Sequence, residues 1–184
     1  MHEEVIFAGF GGQGVLLMGQ LVTYAGMMEG RNVTWMPSYG PEMRGGTANC
    51  GVVVSEKEIA SPLVSEPTSV VAMNRPSLEK FQGMVRPGGL IIYNRSLVDV
   101  KPARNDVRVV AVPANQIADE IGDVRVANMV ALGAYLGVTR VVGVDTVLEA
   151  MKKVLPERRH GLIPLNQQAI ARGMEIAVSA SAAR

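Results

Sequence analysis

Between two apolar runs, residues 5–8 and residues 15–28, the sequence reads Gly9-Phe10-Gly11-Gly12-Gln13-Gly14. The first run is typical of a buried strand, the glycines of a turn, and the second run of a buried helix. This match to G-x-G-x-x-G predicts a phosphate site, because glycine lets a phosphate approach the backbone and a helix start offers unpaired N–H groups. The candidate binding residues here are Gly9, Gly11, Gly12, Gln13 and Gly14.

The motif alone does not decide which phosphate compound binds. A dinucleotide site needs an acidic residue about 20 positions later to bind the ribose, and Thr34, Trp35 and Met36 occupy that stretch instead. No Walker lysine follows the glycines, which argues against an ATPase. Another anion or phosphate-bearing cofactor is therefore favoured over NAD or FAD, with a purely structural turn as the other interpretation.

A second glycine-rich loop, residues 38–46, reads Ser-Tyr-Gly-Pro-Glu-Met-Arg-Gly-Gly. Such a loop holds side chains at a rigid turn and lets the backbone approach a ligand or another chain. In a parallel βα unit the turn after the first strand and the exit of the second lie at the same sheet edge. We therefore expect Tyr39, Arg44, Gly45 and Gly46 to share a site with residues 9–14, the alternative being a solvated surface turn.

Strand and helix patterns alternate along the rest of the chain. We expect strands at residues 32–36, 47–54, 70–73, 90–93 and 107–112, with a hairpin pairing residues 47–54 to residues 58–60. We expect helices at residues 77–84 and 126–137, one beginning at Gln116 after an N-cap at Asn115, one capped by Asp145 and ending near Val154, and a last one carrying Ile170 and Met174. This alternation predicts a single α/β domain over residues 1–184, with three layers, α/β/α, around a largely parallel, mixed sheet.

Composition excludes several classes of protein. The chain has 184 residues, 48% hydrophobic and 19% charged, which suits one domain with its own core. A net charge of +1 argues against nucleic acid as a partner. Cys50 is the single cysteine and there are two histidines, too few for a disulfide, a zinc site or an iron-sulfur cluster on this chain.

The sequence also predicts where the protein works and how it associates. It has no basic, apolar leader and no apolar stretch of ~20 residues, so we expect a soluble, cytoplasmic protein without membrane contact. No nucleophile, base and orienting group occur together, so no catalytic residue and no metal ligand is predicted. Residues 126–137 are apolar or small on every side, which predicts a helix at an interface and a homodimer when the chain is isolated.

Six segments follow one another along the chain in a specific order and spacing. They are residues 9–14 with Val15, Tyr39-Gly40-Pro41-Glu42-Met43-Arg44-Gly45-Gly46, Ser61-Pro62, Pro87-Gly88-Gly89-Leu90-Ile91, Ala127-Asn128-Met129-Val130-Ala131-Leu132-Gly133 and Leu165-Asn166. Together they resemble the gamma subunit, or gamma domain, of the 2-oxoacid:ferredoxin oxidoreductases. The resemblance implies the fold of the pyruvate:ferredoxin oxidoreductase gamma domain. It also implies a subunit that is inactive alone.

In that family the complex oxidatively decarboxylates a 2-oxoacid, joins the acyl group to coenzyme A and passes electrons to ferredoxin. The resemblance implies alpha and beta partner subunits that hold thiamine diphosphate between them, with iron-sulfur clusters on beta or on a delta subunit. Because the gamma domain is associated with coenzyme A, it implies that residues 9–14 hold the coenzyme's phosphates. Arg44 either contacts a phosphate or braces the subunit interface.

The segment Arg44-Gly45-Gly46-Thr47-Ala48-Asn49-Cys50 is similar to members that act on 2-oxoglutarate or branched-chain 2-oxoacids. This favours 2-oxoglutarate over 2-oxoisovalerate, and both over pyruvate or an aryl pyruvate. Two other functions stay open. One is a scaffold subunit of the same complex without a ligand, and the other is a stand-alone, Rossmann-like nucleotide-binding protein.

Overall fold

A mixed sheet of six strands runs through the computed structural model, which describes residues 1–39 and 47–182. The strands are β1 His2–Phe10, β2 Asn32–Tyr39, β3 Thr47–Ser55, β4 Ser69–Ala72, β5 Leu90–Asn94 and β6 Arg108–Val112. The helices are α1 Val15–Met28, α2 Arg75–Phe81, α3 Ala114–Ile121, α4 Ala127–Thr139, α5 Val144–Val154 and α6 Ile163–Ala182. Short 3₁₀ helices span Gln82–Met84, Val124–Val126 and Glu157–Leu162.

The strand order is β2-β3-β1-β4-β5-β6. Strands β1, β4, β5 and β6 are parallel, whereas β3 runs antiparallel to both β1 and β2. The expected unit of strand, helix and strand over β1, α1 and β2 forms, but β3 lies between its two strands. The expected hairpin with residues 58–60 is wrong, because β1 and β2 already occupy both edges of β3.

The two faces of the sheet are covered unequally. Along β1, Val5 and Phe7 pack with α1 and α3–α6 on one face. Ile6 and Ala8 point to the other face, where α2 and the adjoining 3₁₀ turn cover them. This alternation follows from the two-residue period of a strand. The predicted three-layer α/β/α architecture is confirmed, with most helices on one side.

Helix α4 lies inside the chain rather than at a surface. Every residue from 127 to 136 is buried, because α6 covers the side of α4 that faces away from the sheet. The two helices cross closely at Gly133 and Gly173, where an added Cβ would overlap the carbonyl oxygens of Ile170 and Val130. The predicted interface role of this helix is wrong for residues 127–136, since their own chain buries them.

Two helix starts differ from the sequence prediction. Helix α3 begins at Ala114 with Pro113 as its N-cap, and Asn115 instead accepts a hydrogen bond from Asn94 Nδ2 at 2.7 Å. Helix α5 begins at Val144, which places Asp145 in its first turn. None of the helices in the described ranges is long and apolar enough to cross a membrane.

Candidate functional site

The glycine loop, residues 9–14, makes a tight turn from β1 into α1. The Gln13 N–H donates to the Phe10 carbonyl at 3.1 Å and closes the turn. Gly12 and Gly14 have φ values of +96° and +71°, which residues with a side chain rarely adopt. The first helical bond runs from Met18 N–H to Gly14 O at 3.2 Å. The N–H groups of residues 15–17 therefore lack partners within the helix.

Gln13 shapes the loop from within. Its Oε1 accepts hydrogen bonds from Phe10 N at 2.7 Å and from Asn74 Nδ2 at 2.9 Å. An added Cβ on Gly9 would lie 2.7 Å from that same oxygen and 2.9 Å from Val15 Cγ1. Because Gly9 has no side chain, the Gln13 amide can occupy this space. Both residues therefore help to fix the position of the turn.

The two glycine-rich segments leave the sheet at the same end. Gly9 and Tyr39 both pair with Ala48, one on each side of β3. Tyr39 is the last residue of β2, whereas Arg44, Gly45 and Gly46 lie outside the described residues. The proximity expected of the two strand ends is present, and a shared site stays a prediction.

A cavity of about 230 Å³ opens beside the glycine loop. We call it the glycine-loop cavity, and its lining residues are Gly12, Gln13, Met73, Asn115, Val124, Arg125, Ala127 and Asn128. Helices α1, α3 and α4 all begin at this cavity, and a helix start carries a partial positive charge. Arg125 is the one charged residue among these lining residues. The arrangement favours an anion.

The cavity lies where ligands commonly bind in open α/β sheets. The connection after β1 leaves toward α1 on one face, whereas the connection after β4 leaves toward α2 on the other. The crevice outside the carboxyl ends of such diverging strands is the usual binding position. Gly12 follows β1 and Met73 follows β4, so the cavity lies at this divergence.

Buried amides fix the walls of the cavity. Asn94 is 1% exposed, and its Nδ2 donates to Asn115 Oδ1 at 2.7 Å and to the Met73 carbonyl at 3.4 Å. Its Oδ1 accepts from Ala114 N at 3.2 Å. Asn128 donates to Gly14 O at 3.3 Å. The Asn94 bonds join the ends of β4, β5 and β6 to one another, and the Asn128 bond joins the start of α4 to the glycine loop.

Sequence reasoning did not assign roles to these amides. The signal that could have found Asn74 and Asn94 is their position just after the strands predicted at residues 70–73 and 90–93. Polar residues at the carboxyl ends of parallel strands meet at one sheet edge. Asn128 occurs in a segment that carried the family resemblance, but its contact with Gly14 joins positions 114 residues apart.

Arg125 is held by Asp123 at the mouth of the cavity. The guanidinium Nη2 lies 2.7 Å from Asp123 Oδ2, and the Arg125 side chain is 77% exposed. Hydrogen bonds from the Arg125 side chain, and then from its backbone N–H, lower the pKa of the Asp123 carboxyl to about 2. The pair therefore stays ionised throughout the neutral range.

Cys50 lies under α1 and offers no nucleophile. Burial raises the pKa of its thiol to about 12, so the thiolate is scarce at neutral pH. The described part of the chain contains no group of three or more His, Cys, Asp or Glu residues that could hold a metal ion.

The family model of the pyruvate ferredoxin/flavodoxin oxidoreductases matches residues 4–176. The chain belongs to this family. Among its relatives in this oxidoreductase family, ketoisovalerate oxidoreductase subunit VorA of Methanothermobacter thermautotrophicus is 42% identical over 94% of this chain and 36% of its own length. The VorA subunit of Methanothermobacter marburgensis is 48% identical over 74% of this chain and 29% of its own length. The chain therefore spans about a third of the length of these VorA relatives.

Another oxidoreductase-family relative has nearly the same length as this chain. The 2-oxoglutarate synthase subunit KorC of Methanothermobacter thermautotrophicus is 35% identical over 98% of both chains. The gamma subunit of a keto/oxoacid ferredoxin oxidoreductase from Geobacter sulfurreducens superposes with a TM-score of 0.81 at 28% identity, over 96% of this chain and 99% of its own. The resemblance to the gamma chains is thereby confirmed.

A further structure in this oxidoreductase family supports the fold. The 2-oxoglutarate:ferredoxin oxidoreductase from Magnetococcus marinus, solved with 2-oxoglutarate, coenzyme A and succinyl-CoA bound, has a TM-score of 0.87 at 23% identity. The superposition covers 97% of this chain and 31% of that one. At this identity the likeness establishes the architecture alone.

Proposed function

We propose that this chain is the gamma-type part of a 2-oxoacid:ferredoxin oxidoreductase and that the glycine-loop cavity receives phosphate groups of coenzyme A. The main support is the meeting of three helix starts and Arg125 around a cavity whose described lining includes no acidic residue. A relative of the same fold was solved with coenzyme A bound. The complex would oxidise a 2-oxoacid to its acyl-CoA and reduce ferredoxin.

The residues of this chain would bind and orient the coenzyme. The free N–H groups at the start of α1 can donate to phosphate oxygens, as helix starts do in other phosphate sites. Asn128 and Arg125 line the same cavity and add an amide and a charge. A cavity of about 230 Å³ suits the phosphate end of the coenzyme, not the whole molecule. Thiamine diphosphate and iron-sulfur clusters would belong to alpha, beta or delta partners.

The substrate is 2-oxoglutarate or a branched-chain 2-oxoacid. The segment at residues 44–50 favours 2-oxoglutarate, whereas identity is higher to the ketoisovalerate subunits, at 42% and 48%, than to KorC, at 35%. We therefore propose either of these substrates in preference to pyruvate.

The direct test is isolation of the native, untagged complex from its source. We expect this chain to co-purify with subunits that contain thiamine diphosphate and iron-sulfur clusters. The complex should reduce ferredoxin with 2-oxoglutarate or 2-oxoisovalerate only when coenzyme A is added, and the isolated chain should be colourless and inactive. Recovery of the chain alone, or with subunits that lack thiamine and iron, would contradict the proposal.

The outer face of α1 is our candidate for the assembly surface. Tyr24, Met27 and Met28 are 41%, 54% and 45% exposed, and none of the 14 residues of α1 is charged. Exposed aromatic and Met side chains without charges are typical of interfaces. In the VorA relatives the matched part is only about a third of a longer chain. The occupant we propose is a subunit equivalent to the remainder of that longer chain.

Charged substitutions on this face should weaken assembly. We expect Tyr24→Glu combined with Met27→Glu to lower the yield of partner subunits in pull-downs at least ten-fold, because burying two carboxylates is unfavourable. Self-association of the isolated chain, measured by light scattering, should fall with it. Val178→Glu is the control, since Val178 is 65% exposed on α6. Equal yields for both variants would argue against the α1 surface.

A further inference from the structure

Arg125 occupies a distinctive place beside the glycine-loop cavity. It lies in the 3₁₀ helix Val124–Val126, which continues directly into α4. Its side chain is 77% exposed, so it is accessible to a ligand that enters the cavity. Among the described residues that line the cavity, it is also the one that carries a charge. An anion that enters the cavity would therefore meet this guanidinium at the opening.

Asp123 holds the guanidinium without covering all of it. The Asp123 carboxylate accepts from Arg125 backbone N at 2.9 Å and from Nε at 2.9 Å and 3.1 Å. It also accepts from Nη2 at 2.7 Å. The remaining nitrogen, Nη1, takes no part in these bonds. A guanidinium fixed in this way presents its other edge in a defined orientation, which suits the oxygens of a phosphate group.

We infer that Arg125 is a specificity-determining residue that binds a phosphate of coenzyme A at the mouth of the glycine-loop cavity. This inference rests on the proposed function and adds a charged contact to it. The sequence prediction gave that role to Arg44, which lies outside the described residues. The phosphate is either the diphosphate or the 3′-phosphate of the coenzyme, because both present oxygens of the same chemistry. The other interpretation is an ordinary surface ion pair, which contributes little to binding.

The test uses the assembled complex and steady-state kinetics with Arg125→Gln. We expect the KM for coenzyme A to rise about ten-fold or more, as loss of one charge-assisted contact predicts. The KM for the 2-oxoacid should not change, and Arg125→Lys should recover part of the loss. The matched control is Arg104→Gln. Arg104 also donates to a carboxylate, that of Asp106, through Nε and Nη2 at 2.6 Å and 2.7 Å, its Nη1 donates to Gln82 O at 2.9 Å, and it does not line the cavity.

A comparison of coenzyme A with dephospho-coenzyme A distinguishes which of the two phosphate groups Arg125 binds. If Arg125 binds the 3′-phosphate, Arg125→Gln raises the KM for coenzyme A and leaves that for dephospho-coenzyme A unchanged. If it binds the diphosphate, both KM values rise together. Either pattern supports the inference, whereas a coenzyme A KM within two-fold of the unmodified complex overturns it, as does an equal rise in the 2-oxoacid KM.

The glycine loop provides a separate readout of the proposed function. If Gly12→Val raises the KM for coenzyme A and Arg125→Gln does not, the Arg125 inference fails and the coenzyme site stands. If neither variant changes that KM, the coenzyme site itself is wrong.

Discussion

Gly133→Val should destabilise the protein by about 3 kcal/mol or more, at the upper end of what overpacking a core costs. The added Cβ would overlap Ile170 O and lie 2.8 Å from Ile170 C and Cα. These are backbone atoms of α6, so they cannot turn aside as a flexible side chain would, and the whole helix must move. Urea unfolding of the full chain, followed by circular dichroism, measures the loss. Gly173→Val should act similarly, because its Cβ would overlap Val130 O.

Gly83→Ala is the control for the close helix crossing. No heavy atom lies within 4 Å of an added Cβ at this position, and its φ is not in the left-handed region. We expect its free energy of unfolding to stay within about 0.5 kcal/mol of the unmodified protein. If Gly133→Val fell in that same range, α4 and α6 would have to be farther apart than the structure shows.

Gly12→Val should raise the KM for coenzyme A about ten-fold or more in the assembled complex, a change of ~1.4 kcal/mol in binding. Gly12 has a φ of +96° and no heavy atom lies within 4 Å of an added Cβ. The expected effect therefore comes from altered loop geometry and from a side chain beside the cavity, not from a clash in the core. The KM for the 2-oxoacid should hardly change, because under the proposed function that substrate would react first on thiamine diphosphate held by the partner subunits.

Gly30→Val is the control that distinguishes the effect of backbone strain from the effect of losing the proposed coenzyme site. Gly30 follows the far end of α1, has a φ of +73° and has no heavy atom within 4 Å of an added Cβ. Valine should therefore be strained there much as it is at Gly12. We expect lower thermal stability with an unchanged coenzyme A KM. A purely structural role for the glycine loop would instead make the two variants behave alike, with both substrates affected equally.

The sequence predicted the layers of the fold better than the pairing of its strands. Alternating strand and helix patterns are local, and they indicated the α/β/α architecture. The position of β3 is not local, because its partners β1 and β2 precede it across a helix and a loop. A turn after residue 54 therefore suggested a hairpin that does not form. Likewise, apolar residues all around α4 indicate burial, but they do not distinguish burial by α6 from burial by another subunit.

In the candidate site, too, the features that are local in sequence could be predicted, whereas the long-range contacts could not. The glycine loop is one continuous segment, so its turn and helix start could be predicted from six residues. Asn94 and Asn128 acquire their roles only because strand ends and helix starts that are distant in sequence meet around the cavity. Arg125 next to Asp123 looks like any solvated ion pair in the sequence. Only the cavity beside it gives that arginine a candidate ligand.

The position of β1 between β3 and β4 has a consequence for how the chain is synthesised. Synthesis reaches β1 before the other five strands of this sheet, yet neither neighbour of β1 is the next of these strands to be made. The edge of β1 that pairs with β3 stays unpaired until the chain has been made as far as Ser55, and the edge that pairs with β4 stays unpaired until it has been made as far as Ala72. Unpaired apolar strands readily associate with other chains. Strand β1 is therefore one that the nascent protein must shield along its β4 edge until residue 72 has been made.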